Sequence, residues 1–279
     1  LNNSIPEYLR TQVSCAVSSG TVISTNILSD NRYNCTIFAT QSSRVNITLN
    51  MNNNTRISNN HISFDFVTKS TLAFQDGSRT TGYSTNNLVV TLTLQYTVPD
   101  QSMVYCNQSD IPSLSIPAVP INSLSYNCTV IGGSTKTVYM SLIYNNTNAL
   151  TLSNSTVPVS FVTMGQISFS TSTTNAGFIN TPFNTIVNFD GVIPSGITSN
   201  IKCCYGNKMT TGTVNGSQVN CSISYGSTSV QNLTLFVDAG AGITLLLSNN
   251  SLPLVFHSMY CCCCTQTIEL ITHHQTQSH

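Results

Sequence analysis

Three short cysteine-centred segments constrain this chain more than any other feature: Tyr33-Asn34-Cys35-Thr36-Ile37, Tyr126-Asn127-Cys128-Thr129-Val130 and Val219-Asn220-Cys221-Ser222-Ile223. Their cysteines lie 93 residues apart, and then 93 again. Equal spacing of a five-residue match marks an internal repeat, and repeats decide architecture before any single residue does. Other landmarks keep step. Val45-Asn46-Ile47-Thr48-Leu49, Val138-Tyr139-Met140-Ser141-Leu142 and Gln231-Asn232-Leu233-Thr234-Leu235 each follow the cysteine by about ten residues. An apolar strand then closes each unit, over 62–68, 157–163 and 252–258. Upstream, Ile5-Pro6, Val98-Pro99 and Ile193-Pro194 each lead into a strand ending at cysteine: Cys15, Cys106 and Cys203.

The units have strand chemistry throughout. Val, Ile, Thr, Tyr and Phe recur in alternating runs broken by Asn, Gly, Ser and Pro, with no sustained helical period. About seven short strands in roughly 95 residues predict an immunoglobulin-like sandwich. The expected class is therefore all-β, with three tandem immunoglobulin-like β-sandwich domains. Their expected bounds are 1–70, 71–165 and 166–259, with a tail over 260–279. Side chains alternate across a strand, so Tyr33, Cys35 and Ile37 share the core face and Asn34 and Thr36 face solvent. The same split holds in the other two copies.

Cys15–Cys35, Cys106–Cys128 and Cys203–Cys221 are the natural bridges, one per repeat. Each closes a loop of about 20 residues, a constraint of roughly 3 kcal/mol in the chain-entropy model. Cys203 is favoured over Cys204 because it shares the register of Cys15 and Cys106; free buried thiols are the alternative. Cys204 and Cys261, Cys262, Cys263 and Cys264 remain. An odd number cannot all pair within one chain, so a bond between subunits or an unpaired thiol follows. The four-cysteine run lacks the spaced pairs of a structural zinc site, and no metal is expected.

Charged residues make up only 6% of the chain, against about 25% in an average protein. Nine basic residues balance nine acidic ones, which leaves no basic cluster for nucleic acid. No apolar run reaches the length of a membrane span. Solubility falls to Ser, Thr and Asn, many of them in N-glycosylation sequons. These occur at Asn2, Asn34, Asn46, Asn53, Asn107, Asn127, Asn145, Asn154, Asn215, Asn220, Asn232 and Asn249. The periodic ones carry most weight: Asn34 with Asn127 and Asn220, Asn46 with Asn232, and Asn154 with Asn249. Covalent N-linked glycans are the only expected non-protein groups, with no cofactor. Sequons and paired cysteines together imply an oxidising route and a secreted or cell-surface location.

The third unit carries a family likeness. A cysteine-bearing strand over 219–223 precedes Val230-Gln-Asn-Leu-Thr-Leu-Phe-Val237, then the turn Ala239-Gly-Ala-Gly242 and the closing strand Leu252-Pro-Leu-Val-Phe256. This unit resembles the IPT/TIG family of immunoglobulin-like domains, and the second copy matches it more loosely. The resemblance implies surface receptors, extracellular repeat proteins or transcription factors. The last need a basic DNA-facing loop, which this chain lacks.

The copies are unequal. Copy two has Leu72-Ala-Phe74 and Leu88-Val-Val-Thr-Leu-Thr-Leu94 before its Val98-Pro99, and copy three has Ile167-Ser-Phe169 and 183–189 in the same place. Copy one has only Leu1 to Ser4 before Ile5-Pro6, so it lacks its first two strands. Beyond copy three, Thr267-Ile-Glu-Leu-Ile-Thr272 reads as a strand with Ile268 and Leu270 on one face. A gap and a spare strand suggest complementation: the tail of one subunit fills the groove of the next. That contact is heterologous and builds a filament of the chain with itself. The alternative is a window of a longer array, processed or cut at Leu1, with the missing strands upstream. In that reading the chain is an ectodomain fragment of a TIG-type adhesion receptor.

No catalytic constellation is legible. The nine acids are scattered and mostly in turn contexts, no phosphate loop or nucleophile elbow occurs, and the chain is not expected to be an enzyme.

Overall fold

The computed structural model describes residues 4–29, 31–52, 55–145 and 148–258. It is all-β, built of immunoglobulin-like sandwiches in tandem. Its strands fall into three sets, and each disulfide crosses from one sheet to the other.

The second repeat shows the plan in full. One sheet runs Ser115–Pro117, Val104–Gln108, Lys136–Tyr144, Val157–Val162 and Thr81–Tyr83. The other runs Val119–Pro120, Ser125–Val130, Leu88–Leu94 and Leu72–Phe74. Pairing is antiparallel except where Thr81–Tyr83 lies parallel to Val157–Val162. Leu88, Val90, Leu92 and Leu94 point inward at every second position, against Tyr126, Cys128 and Val130. Alternation thus becomes a packed layer. Phe161, Met140 and Leu142 fill it from the facing sheet.

The third repeat has the same strand order with one change. Lys208–Asn215 pairs with Ile201–Tyr205 through its first half and with Gln218–Ile223 through its second, so one hydrogen-bonded path links both sheets. The corner falls at Gly212. A Cβ there would sit 2.9 Å from the Cys203 sulfur and 2.9 Å from Val219, so only glycine lets the strand fold over the disulfide.

Register is shared by all three repeats. Cys15 lies opposite Leu49, Cys106 opposite Leu142, and Cys203 opposite Leu235. The cysteine strands extend past their cysteines, ending at Val17, Gln108 and Tyr205. The bridges are Cys15–Cys35, Cys106–Cys128 and Cys203–Cys221, as the shared face requires.

The first repeat is different. Val13–Val17, Ser43–Met51 and Ile62–Phe66 form one sheet, flanked by Thr55–Arg56. The other sheet is only the hairpin of Thr21–Ser29 with Arg32–Phe38. Among the described residues no strand takes the places of Leu72–Phe74, Thr81–Tyr83 and Leu88–Leu94. The tail with Cys261, Cys262, Cys263, Cys264, Ile268 and Leu270 lies outside the described residues, as do Asn2 and Asn53. No described helix is long and apolar enough to cross a membrane.

Candidate functional site

Among the described residues, the first repeat has a groove where the other two repeats have strands. In the second repeat the inner edge of Ser125–Val130 pairs with Leu88–Leu94, and in the third Gln218–Ile223 pairs with Phe183–Asp190. The equivalent edge of Arg32–Phe38 has no strand partner among the described residues. The edge of Ile62–Phe66 that corresponds to the parallel pairing also has no strand partner among the described residues. Between the two edges lies a cleft of about 750 Å³. Its walls include Tyr33, Cys35, Ile47, Leu49, Met51 and Ile62, with Ile5 and Pro6 at one end.

Burial measures what is absent. Tyr126, Cys128 and Val130 are fully buried, as are Val219, Cys221 and Ile223, while Tyr33, Cys35 and Ile37 are only half-buried. The closing strand shows it more sharply. Val157 and Val159 are 7% and 0% exposed; Ile62 and Phe64, at the same register, are 66% and 47% exposed. Of the described apolar residues of the first repeat, only Ile5, Val13, Cys15 and Val45 are buried. An apolar lining beside strand edges that no described strand covers is the physical description of a site for an added strand.

The joint between the first and second repeats brings together three charged side chains. Arg44 donates to both carboxylate oxygens of Asp65, at 2.7 and 2.9 Å, and to Asp100 at 3.0 Å. The Tyr144 hydroxyl donates to Asp65 at 2.6 Å. The Arg44 hydrogen bond holds Asp65 below the usual carboxylate range, aided by Tyr144. Asp100 is lowered first by the Ser102 hydroxyl and then by Arg44. Burial and Asp65 push the Tyr144 phenol up. In the sequence the acids are scattered and mostly in turn contexts. Asp100 does cap the turn at Gln101–Met103, and it also takes Arg44 from 56 residues away. The joint between repeats two and three is made differently, by the Thr80 amide donating to Ala239 and the Leu246 amide to the Tyr83 hydroxyl.

The sequons divide by exposure. Asn34, Asn154, Asn215, Asn220, Asn232 and Asn249 are exposed. Asn46, Asn107, Asn127 and Asn145 are half-buried. The Asn127 side-chain oxygen accepts from Thr91 at 2.8 Å, so outward parity does not leave that side chain free in every copy. Cys204 carries a free, half-buried thiol on the face opposite Cys203, and burial pushes its pKa up. Among the described residues no three His, Cys, Asp or Glu side chains come together as a metal site would need.

No family model matches this chain, and no curated protein is significantly similar to it. Solved structures do match. The Escherichia coli adhesin FdeC is 11% identical over 88% of this chain and 85% of its own, with a TM-score of 0.30. The fibronectin(III)-like modules of Clostridium thermocellum CbhA are 9% identical over 74% of this chain and 100% of theirs, with a TM-score of 0.32. A two-domain fibronectin type-III segment of chicken tenascin is 16% identical over 67% of this chain and 98% of its own, with a TM-score of 0.24. Likenesses this distant carry nothing about function, and the sandwich assignment stands on the strand pairing itself.

Proposed function

We propose that this chain is a structural subunit of an extracellular glycoprotein filament, assembled head-to-tail when a strand from one copy enters the open first repeat of the next. The groove between Arg32–Phe38 and Ile62–Phe66 carries this reading. It is apolar, flanked by two unoccupied strand edges, and its counterparts in the other two repeats are filled by the chain's own strands. The occupant is the tail over 260–279, with Ile268 and Leu270 as its apolar face. Three disulfides and the sequons support an extracellular setting, where such bonds persist. The IPT/TIG affinity of the repeats belongs to the same proposal. So does a role that is structural or adhesive rather than catalytic, with no partner but a further copy of the chain.

Strand addition supplies main-chain hydrogen bonds for affinity and alternate pockets for specificity. Because donor and acceptor surfaces differ, each copy keeps one of each free and the contact does not close. The test is electron microscopy of the purified chain beside a variant lacking residues 260–279. Thin fibres from the first and monomers from the second support the proposal. Fibres from both would show that the tail is not the occupant, and the absence of fibres from either would favour strands supplied by an upstream segment.

A further inference from the structure

We infer that the entering strand adds antiparallel to Arg32–Phe38, with Ile268 opposite Ile37, Leu270 opposite Cys35 and Thr272 opposite Tyr33. This inference rests on the complementation reading above and specifies which edge is used and in what register.

The edge follows from what fills each position in the closed repeats. The strand parallel to the closing strand is three residues long in both, Thr81–Tyr83 and Ala176–Phe178. Glycine is central in each, and at Gly177 the first inward residue of the next strand leaves no room for a side chain. A Cβ on Gly177 would meet the Phe183 ring at 2.3 Å, and one on Gly82 would touch Leu88 at 3.4 Å. A three-residue strand whose central residue faces inward offers one inward position and not two, and 260–279 contains no glycine. The antiparallel position instead takes the long alternating strands Leu88–Leu94 and Phe183–Asp190.

The register follows from elimination. Residues opposite the positions equivalent to Ile37, Cys35 and Tyr33 are Leu88, Val90 and Leu92 in one repeat and Phe183, Thr185 and Val187 in the other. All are apolar or β-branched. The opposite parity would turn Glu269 inward, and an unpaired buried carboxylate is costly. Sliding the strand by two residues one way buries Gln266, and the other way buries His274. Within 265–274 only Ile268, Leu270 and Thr272 fill the three places without burying an amide, an imidazole or a carboxylate, and the triplets further upstream offer Tyr260, cysteine and threonine in place of branched aliphatic side chains. The outward pair then becomes Glu269 and Ile271, which repeats the polar–apolar order of Asn184 and Ile186.

The test places a photo-crosslinker, p-benzoylphenylalanine, at Thr36 or at Ser63, outward positions on the two candidate edges. Each variant is mixed with isotope-labelled chain, irradiated and mapped by mass spectrometry. Adducts from position 36 to residues 268–270 of the second copy are expected, with none from position 63. Adducts from position 63, from position 36 to other residues, or none from fibres that form, overturn the edge and register while leaving complementation standing. Fibres that persist without the tail sink the parent reading instead. If the crosslinker itself blocks assembly, point variants decide. Ile268→Asp and Leu270→Asp should abolish fibres while Glu269→Gln and His274→Asp spare them; the reverse pattern contradicts the register.

Discussion

The first and second repeats share cysteines, register and strand order, yet one has a sealed core and the other a cleft. Leu49 faces Cys15 as Leu142 faces Cys106, and Val45 and Val138 are both about 1% exposed. The divergence begins at Leu88–Leu94, which has no equivalent among the described residues of the first repeat. Sealing is therefore a property of one or two strands, not of the disulfide or of the sheet that carries Lys136–Tyr144. A sandwich half built around a disulfide keeps its geometry and exposes its lining.

Core truncation should separate the repeats most strongly. Phe161 is fully buried, and Phe161→Ala is expected to cost about 3–5 kcal/mol in denaturant unfolding. Phe66 occupies the same register in the first repeat but is only half-buried, and Phe66→Ala in unassembled chain should cost less than half as much. Equal losses would mean that the first repeat is closed in solution. Next in size is bridge removal. Replacing Cys106 and Cys128 together by Ala should cost roughly 3 kcal/mol and leave the second repeat folded. The same change at Cys15 and Cys35 should abolish the protection of the first repeat, which has little core besides.

A smaller effect compares the two closed repeats. Thr185 is fully buried opposite Cys221, its hydroxyl without a hydrogen-bond partner, where the second repeat has Val90. Thr185→Val should therefore stabilise the chain by about 1 kcal/mol, seen as a higher melting temperature. The smallest effect concerns the charged joint. Asp65 and Asp100 have folded pKa values below their unfolded ones, so their contribution is present above the usual carboxylate range and is lost as pH falls through the depressed values. The melting temperature should drop below about pH 4, and Arg44→Gln should flatten part of that drop. Because the cluster is largely exposed, salt should flatten it too.

Much of this architecture was legible because disulfide pairing and strand parity impose the same face on the same residue. Cys203 rather than Cys204 bridges to Cys221 for that reason. The parallel strands Thr81–Tyr83 and Ala176–Phe178 were not legible, since three residues centred on glycine show no alternation. Nor was the strand Thr21–Ser29, whose inner and outer faces differ little in polarity. The Arg44, Asp65, Asp100 and Tyr144 cluster was hidden because residues from two repeats build it, and linear spacing says nothing about a joint. Sequon parity predicted outward Asn side chains, but not that Thr91 would hold Asn127.

Amide hydrogen exchange along Arg32–Phe38 tests the central claim most directly, with Ser125–Val130 as the internal reference. In chain lacking residues 260–279, the amides on the cleft-side edge of Arg32–Phe38 should exchange far faster than their counterparts in Ser125–Val130. In assembled full-length chain they should slow to the reference rate, because an added strand now holds them. Slow exchange in both samples, or fast exchange in both, would contradict the proposal that the first repeat is an open site for a strand of another copy.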